Sequence, residues 1–378
     1  MESASKIERL LQFWNQDPTN ANLCIDIITE YGKQKNIEQL TQFYHGLSEA
    51  VSQQPLIIWQ YGRALVELGN IGDGANEFAK LPDDQSETKP YSIALCLFLQ
   101  NQFADADRVI SDYVENIGQY SSAQLLLLHS KVKYHLGDLQ NALALAEQIR
   151  HQLGDSANQN TELLGLLAML NFDLLQISDS EKYAKLLLSI APKHHDGLLA
   201  LASIYTYNQT LKQAADTASI GVSEFANSGR MWSVLAQALF ALGDRDSAYN
   251  CVINATKLMP NHIGTWHVRA WCELVANDYA QAKASFSASL ELNRNFGESH
   301  AGLALVAFYE QQFEEAKRLL TIAQRLDPNS FTAKYLESLF LTHQGKPDAS
   351  KQLIENLLDQ PSHLSGLSYK QLIDALKR

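Results

Sequence analysis

The chain has 378 residues, with 42 acidic and 30 basic side chains and a formal net charge of −12. That balance disfavours a nucleic-acid backbone or an anionic membrane surface as the main partner, and no segment approaches the ~18 consecutive apolar residues that span a bilayer. Four cysteines, Cys24, Cys96, Cys251 and Cys272, lie far apart without metal-ligand spacing; they read as small buried apolar residues of a reducing compartment, so the expected location is cytoplasmic.

Met1 to Gln16 carry no basic stretch followed by an apolar core, so no signal peptide is expected. A lone helix is predicted over Ser3 to Asn15, ending at Asp17-Pro18. Helical pairs follow at Ala21–Leu47, Pro55–Leu81, Glu87–Tyr113 and Ala123–Ile149, with Leu40, Gly74, Ala106 and Ala142 at one equivalent position. Their spacing drifts through 32, 36 and 38 residues, so the connecting loops vary in length. The polar stretch around Gly154 to Asn158 is the longest loop and is predicted to be a flexible joint between two stacks, residues 1–154 and 155–378.

From Thr161 the period is fixed. Ser180, Ala214, Ala248, Ala282, Ala316 and Ser350 recur every 34 residues, which identifies a repeat architecture that grows by stacking. In Gly297 to Ser330, Leu303, Ala304 and Ala307 share one helical face, and Gln311-Gln312 turns the chain. Ala316, Leu320 and Ala323 then mark a second helix. Asp327-Pro328 ends it, because proline cannot continue a helix. Pro192, Pro260 and Pro328 sit at equivalent stops, and Gly137, Gly243 and Gly345 at turns between paired helices. A last helix is predicted from Ser365 to Lys377; it and the first helix read as end caps.

Trp232, Leu235, Ala236, Leu239, Ala248, Ala255 and Pro260 resemble the tetratricopeptide repeat, with its bulky residue at position 4, Leu at 7, small residues at 8, 20 and 27 and Pro at 32. Trp266, Ala270, Ala282 and Phe286 repeat the match, as do Leu303, Ala304, Ala316, Leu320, Ala323 and Pro328. The resemblance is strong from Thr161 onward and weaker, in the same register, before it. It implies an all-α, right-handed superhelical solenoid of about ten helix-turn-helix hairpins, with capping helices at both ends. Small residues at positions 8 and 20 let two helix backbones approach closely.

The resemblance further implies a groove lined by positions 2, 5, 9, 12 and 13 of each first helix. Here those positions hold Trp59, Tyr91, Phe98, Tyr134, Phe172, Tyr207, Phe240, His267, Trp271, Leu305, Phe308, Tyr309 and Tyr335, with Glu298 beside them. Each ring could instead pack between neighbouring first helices. Collectively, an aromatic-rich wall suits the core of an interface, centred on Trp271 and Phe308. The lysine-asparagine clamp that holds chaperone tails is missing, since its positions read Ile25/Thr29, Trp59/Arg63, Tyr91/Leu95 and Leu127/Lys131.

The segment His262 to Glu273 departs from the pattern with two histidines, two tryptophans and Arg269 where leucine is expected. Arg269 and Glu273 are four apart and can pair within a helix. Three readings stand open: a structural hydrogen-bonded knot, a polar specificity point in the groove, or a metal site of His262, His267, Glu298 and His300. No phosphate loop, nucleophile elbow or dinucleotide fingerprint is present. The expectation is a non-catalytic adaptor without cofactor, catalytic residue or metal, holding a peptide or helical segment of a partner protein. A chaperone or assembly factor for an exported protein, pilus or envelope complex is the alternative, and a metal-dependent enzyme the third reading.

Overall fold

The computed structural model describes residues 2–83, 86–118 and 122–358, and every regular element among them is helical. The helices pair into ten hairpins in the described residues. The chain divides into two compact units, residues 1–166 and 167–378.

The first unit opens with α1 (Glu2–Gln16), which packs Ile7, Leu10 and Trp14 against the first hairpin, α2 (Ala21–Lys33) and α3 (Ile37–His45). A short α4 (Glu49–Ser52), absent from the expectation, follows because Val51 is drawn into the core at 1 % exposure. Three hairpins come next: α5 (Pro55–Glu67) with α6 (Ile71–Ala79), α7 (Thr88–Leu99) with α8 (Phe103–Ile117), and α9 (Ala123–His135) with α10 (Leu139–Leu153). The polar stretch predicted as a joint is a 3-10 helix, Gly154–Gln159, that packs on α10 and buries Ala157. The division between units falls further on, within α11 (Thr161–Asp173).

Helix α11 pairs with α12 (Ile177–Ile190). The second unit then stacks α13 (His195–Tyr207) with α14 (Leu211–Glu224), α15 (Gly229–Leu242) with α16 (Arg245–Leu258), and α17 (Ile263–Val275) with α18 (Tyr279–Leu292). It continues through α19 (Gly297–Tyr309) with α20 (Phe313–Leu326), and α21 (Phe331–His343) with α22 (Pro347–Leu358). The helix expected over Ser365 to Lys377 lies outside the described residues.

Each hairpin turns through one residue with left-handed backbone. Glycine fills the position at Gly69, Gly137, Gly243 and Gly345, while Lys35, Asn101, Leu175, Gln209, Asn277 and Gln311 hold φ between 53° and 63°. Five residues later comes the small residue of the close crossing, and Ala106, Ala142, Ser180, Ala214, Ala248, Ala282 and Ala316 are all 0 % exposed there. Backbones approach so closely that serine hydroxyls bridge them: Ser180 Oγ donates to Ala168 O, Ser350 Oγ to Ser338 O and Ser130 Oγ to Ala142 O, each at 2.7 Å. Helix starts are capped by side chains at Asn20, Asn36, Ser228, Asp244 and Asp278, which satisfies otherwise orphaned amides.

Within each unit, first helices touch the first helices of adjacent hairpins, as in α2 with α5, α7 with α9, and α13 through α15, α17 and α19 to α21. Each of these runs presents a continuous row of first-helix side chains. That row positions the candidate site.

Candidate functional site

Trp271 of α17, Leu305 and Tyr309 of α19, and Tyr335 of α21 converge on one cleft in the second unit. Leu274, Val275 and Asn277 complete its upper wall, Tyr279 begins α18, and Phe331, Ile354 and Leu357 close the far side. The cleft holds about 460 Å³, the size of a small-molecule or side-chain pocket. Its rings are ordered in pairs. Tyr279 stacks on Tyr309 with centroids 5.7 Å apart, and Phe331 on Tyr335 at 6.4 Å. Partial burial, and then a hydrogen bond with Tyr335, raise the Tyr309 phenol well above its ordinary range, so it stays a neutral hydroxyl. Leu305 is 1 % exposed and forms the floor, whereas Tyr309 at 39 % stands at the mouth.

Phe308 is not among the residues that line this cleft. Its ring meets Phe313 at 5.5 Å, Phe340 at 4.9 Å and His343 at 6.3 Å, which makes it packing between successive hairpins. Phe98 does the same in the first unit, with Phe103 at 5.6 Å and His135 at 5.4 Å. Tyr134 lies edge-on to His135 at 5.6 Å. Phe240 and Glu298 are half-buried. Phe172 and Tyr207 line a separate, more polar cleft with Arg230, Gln237 and His262, and Trp59 and Tyr91 line one in the first unit.

The metal reading of His262, His267, Glu298 and His300 is not met by the geometry, because each histidine is committed elsewhere. His262 caps α17, its Nδ1 accepting from the Thr265 amide at 3.2 Å. His267 Nε2 lies 2.7 Å from Ser299 Oγ, with Phe286 and Phe296 edge-on to its ring. Burial pushes its imidazole down to about 4. His300 Nε2 donates to Arg294 O at 2.9 Å, six residues back. Trp266 Nε1 does the same to Pro260 O at 2.7 Å and Trp232 Nε1 to Ala226 O at 2.8 Å. These three residues are 34 apart, so His300 is the next member of a series that ties each incoming loop to its helix. Among the described residues no three His, Cys, Asp or Glu side chains are placed to hold a metal ion.

Arg269 and Glu273 form the hydrogen-bonded knot: Arg269 Nε donates to Glu273 Oε1 at 2.8 Å, and Ser285 Oγ to Oε2 at 2.6 Å. Arg269 also lies over the Trp266 ring, 5.4 Å from its centroid. All four cysteines are buried and free, and no helix among the described residues is long and apolar enough to cross a membrane.

Positions 2, 5, 9, 12 and 13 of the first helices supply six of the cleft residues, Trp271, Leu274, Val275, Leu305, Tyr309 and Tyr335. They miss Tyr279, Ile354 and Leu357, which come from second helices. Their apolar character at the ends of α18 and α22 was visible, but nothing in a repeat pattern says that the end of one hairpin reaches the first helix of another.

Two-helix hairpins stacked at a period that is 34 residues from Ser180 onward, with small residues at the crossings of every hairpin but the first, where Leu40 stands, define a tetratricopeptide-repeat fold. No family model matches the chain. A curated relative, BBSome complex member BBS4 of Bos taurus, is 24 % identical over 295 residues, which is 76 % of this chain and 55 % of that protein. The chain thus spans about half the length of this relative. Among solved structures, the APC/C hetero-tetramer Cut9-Hcn1 aligns with 95 % of this chain and 76 % of its own at a TM-score of 0.59 and 13 % identity. A tetratricopeptide repeat protein from Parabacteroides merdae aligns with 67 % of this chain and 98 % of its own, at a TM-score of 0.50 and 13 % identity.

Proposed function

We propose that this protein is a non-catalytic scaffold that seats an apolar or aromatic anchor of a partner polypeptide in the cleft between Trp271, Leu305, Tyr309 and Tyr335. The observation that carries the reading is the cleft itself: about 460 Å³ walled by five aromatic residues and by aliphatic side chains. Large rigid rings around an apolar floor are the chemistry of interface anchor pockets. The hydrogen-bonded hydroxyls of Tyr309 and Tyr335 leave one O–H donor that can fix the orientation of a backbone or side chain. The fold supports the same reading, since stacked hairpins expose long surfaces suited to binding another chain. So does the nature of two similar proteins: the curated relative is a member of a complex, and one structural neighbour was solved within a hetero-tetramer.

Selection of peptides from a random library on the intact protein, followed by calorimetry, tests this. Selected peptides should carry an apolar anchor and bind Trp271→Ala and Tyr335→Phe/Trp271→Ala at least tenfold more weakly, with helicity preserved. Equal binding to a folded Trp271→Ala variant removes the cleft from the function.

A further inference from the structure

A second cleft, in residues 1–166, carries chemistry that the first lacks. It holds about 470 Å³ and is lined by Leu56 and Trp59 of α5, Leu81, and Glu87, Lys89 and Tyr91 around the start of α7. Leu56 is 56 % exposed, a large apolar side chain held at the surface. Glu87 occupies the cap position of α7, yet its side chain makes no capping bond. Its Oε2 is buried and has no hydrogen-bond partner among the described residues.

A carboxylate oxygen only accepts, so what satisfies it is a donor, and a charged donor satisfies it best. The neighbouring rings select for the same charge, because the faces of Trp and Tyr attract cations. Trp59 already does so within the chain, with the Arg63 guanidinium 5.2 Å from its ring centroid. Among the described residues the nearby lysines are paired. Lys89 Nζ is 2.7 Å from Asp83 Oδ1, and Lys131 Nζ is 3.3 Å from Glu162 Oε1. Burial, then the charges of Glu162 and Glu87, raise the Tyr91 phenol. Glu87 Oε2 is thus an unmet acceptor in a cleft that Trp59 and Tyr91 also line.

We propose that this cleft takes a basic side chain, lysine or arginine, from a partner polypeptide. The cationic head donates to the Glu87 carboxylate, and its aliphatic stem lies against Trp59 and Leu56. This site stands independently of the cleft around Trp271.

The test uses the full chain with ¹⁵N-labelled tryptophan and capped glycine pentapeptides whose central residue is lysine, arginine or norleucine. Trp59→Phe assigns the Trp59 indole signal, and Trp14, Trp232, Trp266 and Trp271 report that the fold is intact. The lysine and arginine peptides should shift the Trp59 signal saturably and bind at least fivefold more tightly than the norleucine peptide. Glu87→Gln should abolish that preference while leaving norleucine binding unchanged. The proposal is overturned if no peptide moves the Trp59 signal, if norleucine binds as well as lysine, or if a folded Glu87→Gln protein keeps the preference. Should Glu87→Gln disturb the other indole signals, the lysine-to-norleucine comparison on the unaltered chain still decides.

Discussion

Arg269 and Glu273 stand one helical turn apart on α17, joined by an Nε–Oε1 hydrogen bond of 2.8 Å, and the carboxylate so held is 2 % exposed. A charge this deep persists only with counter-charge and donors around it. Arg269→Leu, which installs the residue that the repeat pattern favours, strands Glu273. The expected cost is about 3 kcal/mol, read as a lower urea midpoint. The Arg269→Leu/Glu273→Leu double variant should recover most of it. An unchanged midpoint in the single variant would show that the pair contributes nothing.

His267 makes stability depend on pH. Its imidazole sits at about 4 rather than the ordinary 6.5 because it is buried. Between those values the unfolded chain binds a proton that the native state refuses, so stability falls as pH drops through the window. The contribution is complete above 6.5 and shrinks by about 2–3 kcal/mol on reaching pH 4. His267→Gln should therefore lose less stability than the unaltered protein between pH 7 and about 4.5. Proton NMR gives the direct check, and a His267 midpoint near 6.5 would refute the assignment.

Gly302 must stay small for a steric reason. A β-carbon there would stand 2.4 Å from Cε1 of Phe286, a ring with 0 % exposure and no room to yield. Gly302→Ala should cost about 1–3 kcal/mol in thermal melts, and adding Phe286→Leu should return part of it. Gly62 faces Phe78 in the same way, with 2.7 Å to the ring, so Gly62→Ala should behave alike.

Phe308 and Trp271 separate folding from binding. Phe308→Ala removes a ring that contacts Phe313, Phe340 and His343, and should cost about 3 kcal/mol without changing the affinity of peptides selected on the cleft. Trp271→Ala should do the reverse. If the folded Phe308→Ala protein loses affinity as strongly as Trp271→Ala, the cleft extends further than its lining residues.

Much of the fold was legible because a 34-residue period leaves few alternatives. Small residues at Ser180 through Ser350 marked each crossing, and Pro192, Pro260 and Pro328 marked where second helices stop. Less legible was what polar residues do inside a repeat. His262 and His300 looked like potential ligands, yet one is a helix cap and the other follows Trp232 and Trp266 in binding a carbonyl six residues back. Neighbouring histidines in sequence say nothing about where their ring nitrogens point. Phe308 and Trp271 likewise occupy similar inward positions. Only the placement of Phe313 and Phe340 turns one ring into packing while the other lines a cleft.

Ten hairpins turn through a left-handed residue at one fixed place, and six of those residues carry side chains. Leu175 is one of them, a leucine 63 % open to solvent at φ 59°. Side chains other than glycine, asparagine and aspartate hold this conformation at a cost. Because the turns recur a repeat apart and share no partners, substitutions at them should combine nearly additively. The chain therefore carries a set of separate tuning points, through which its resistance to heat can drift upward or downward in small steps during evolution while every crossing and both ring-lined clefts remain as they are.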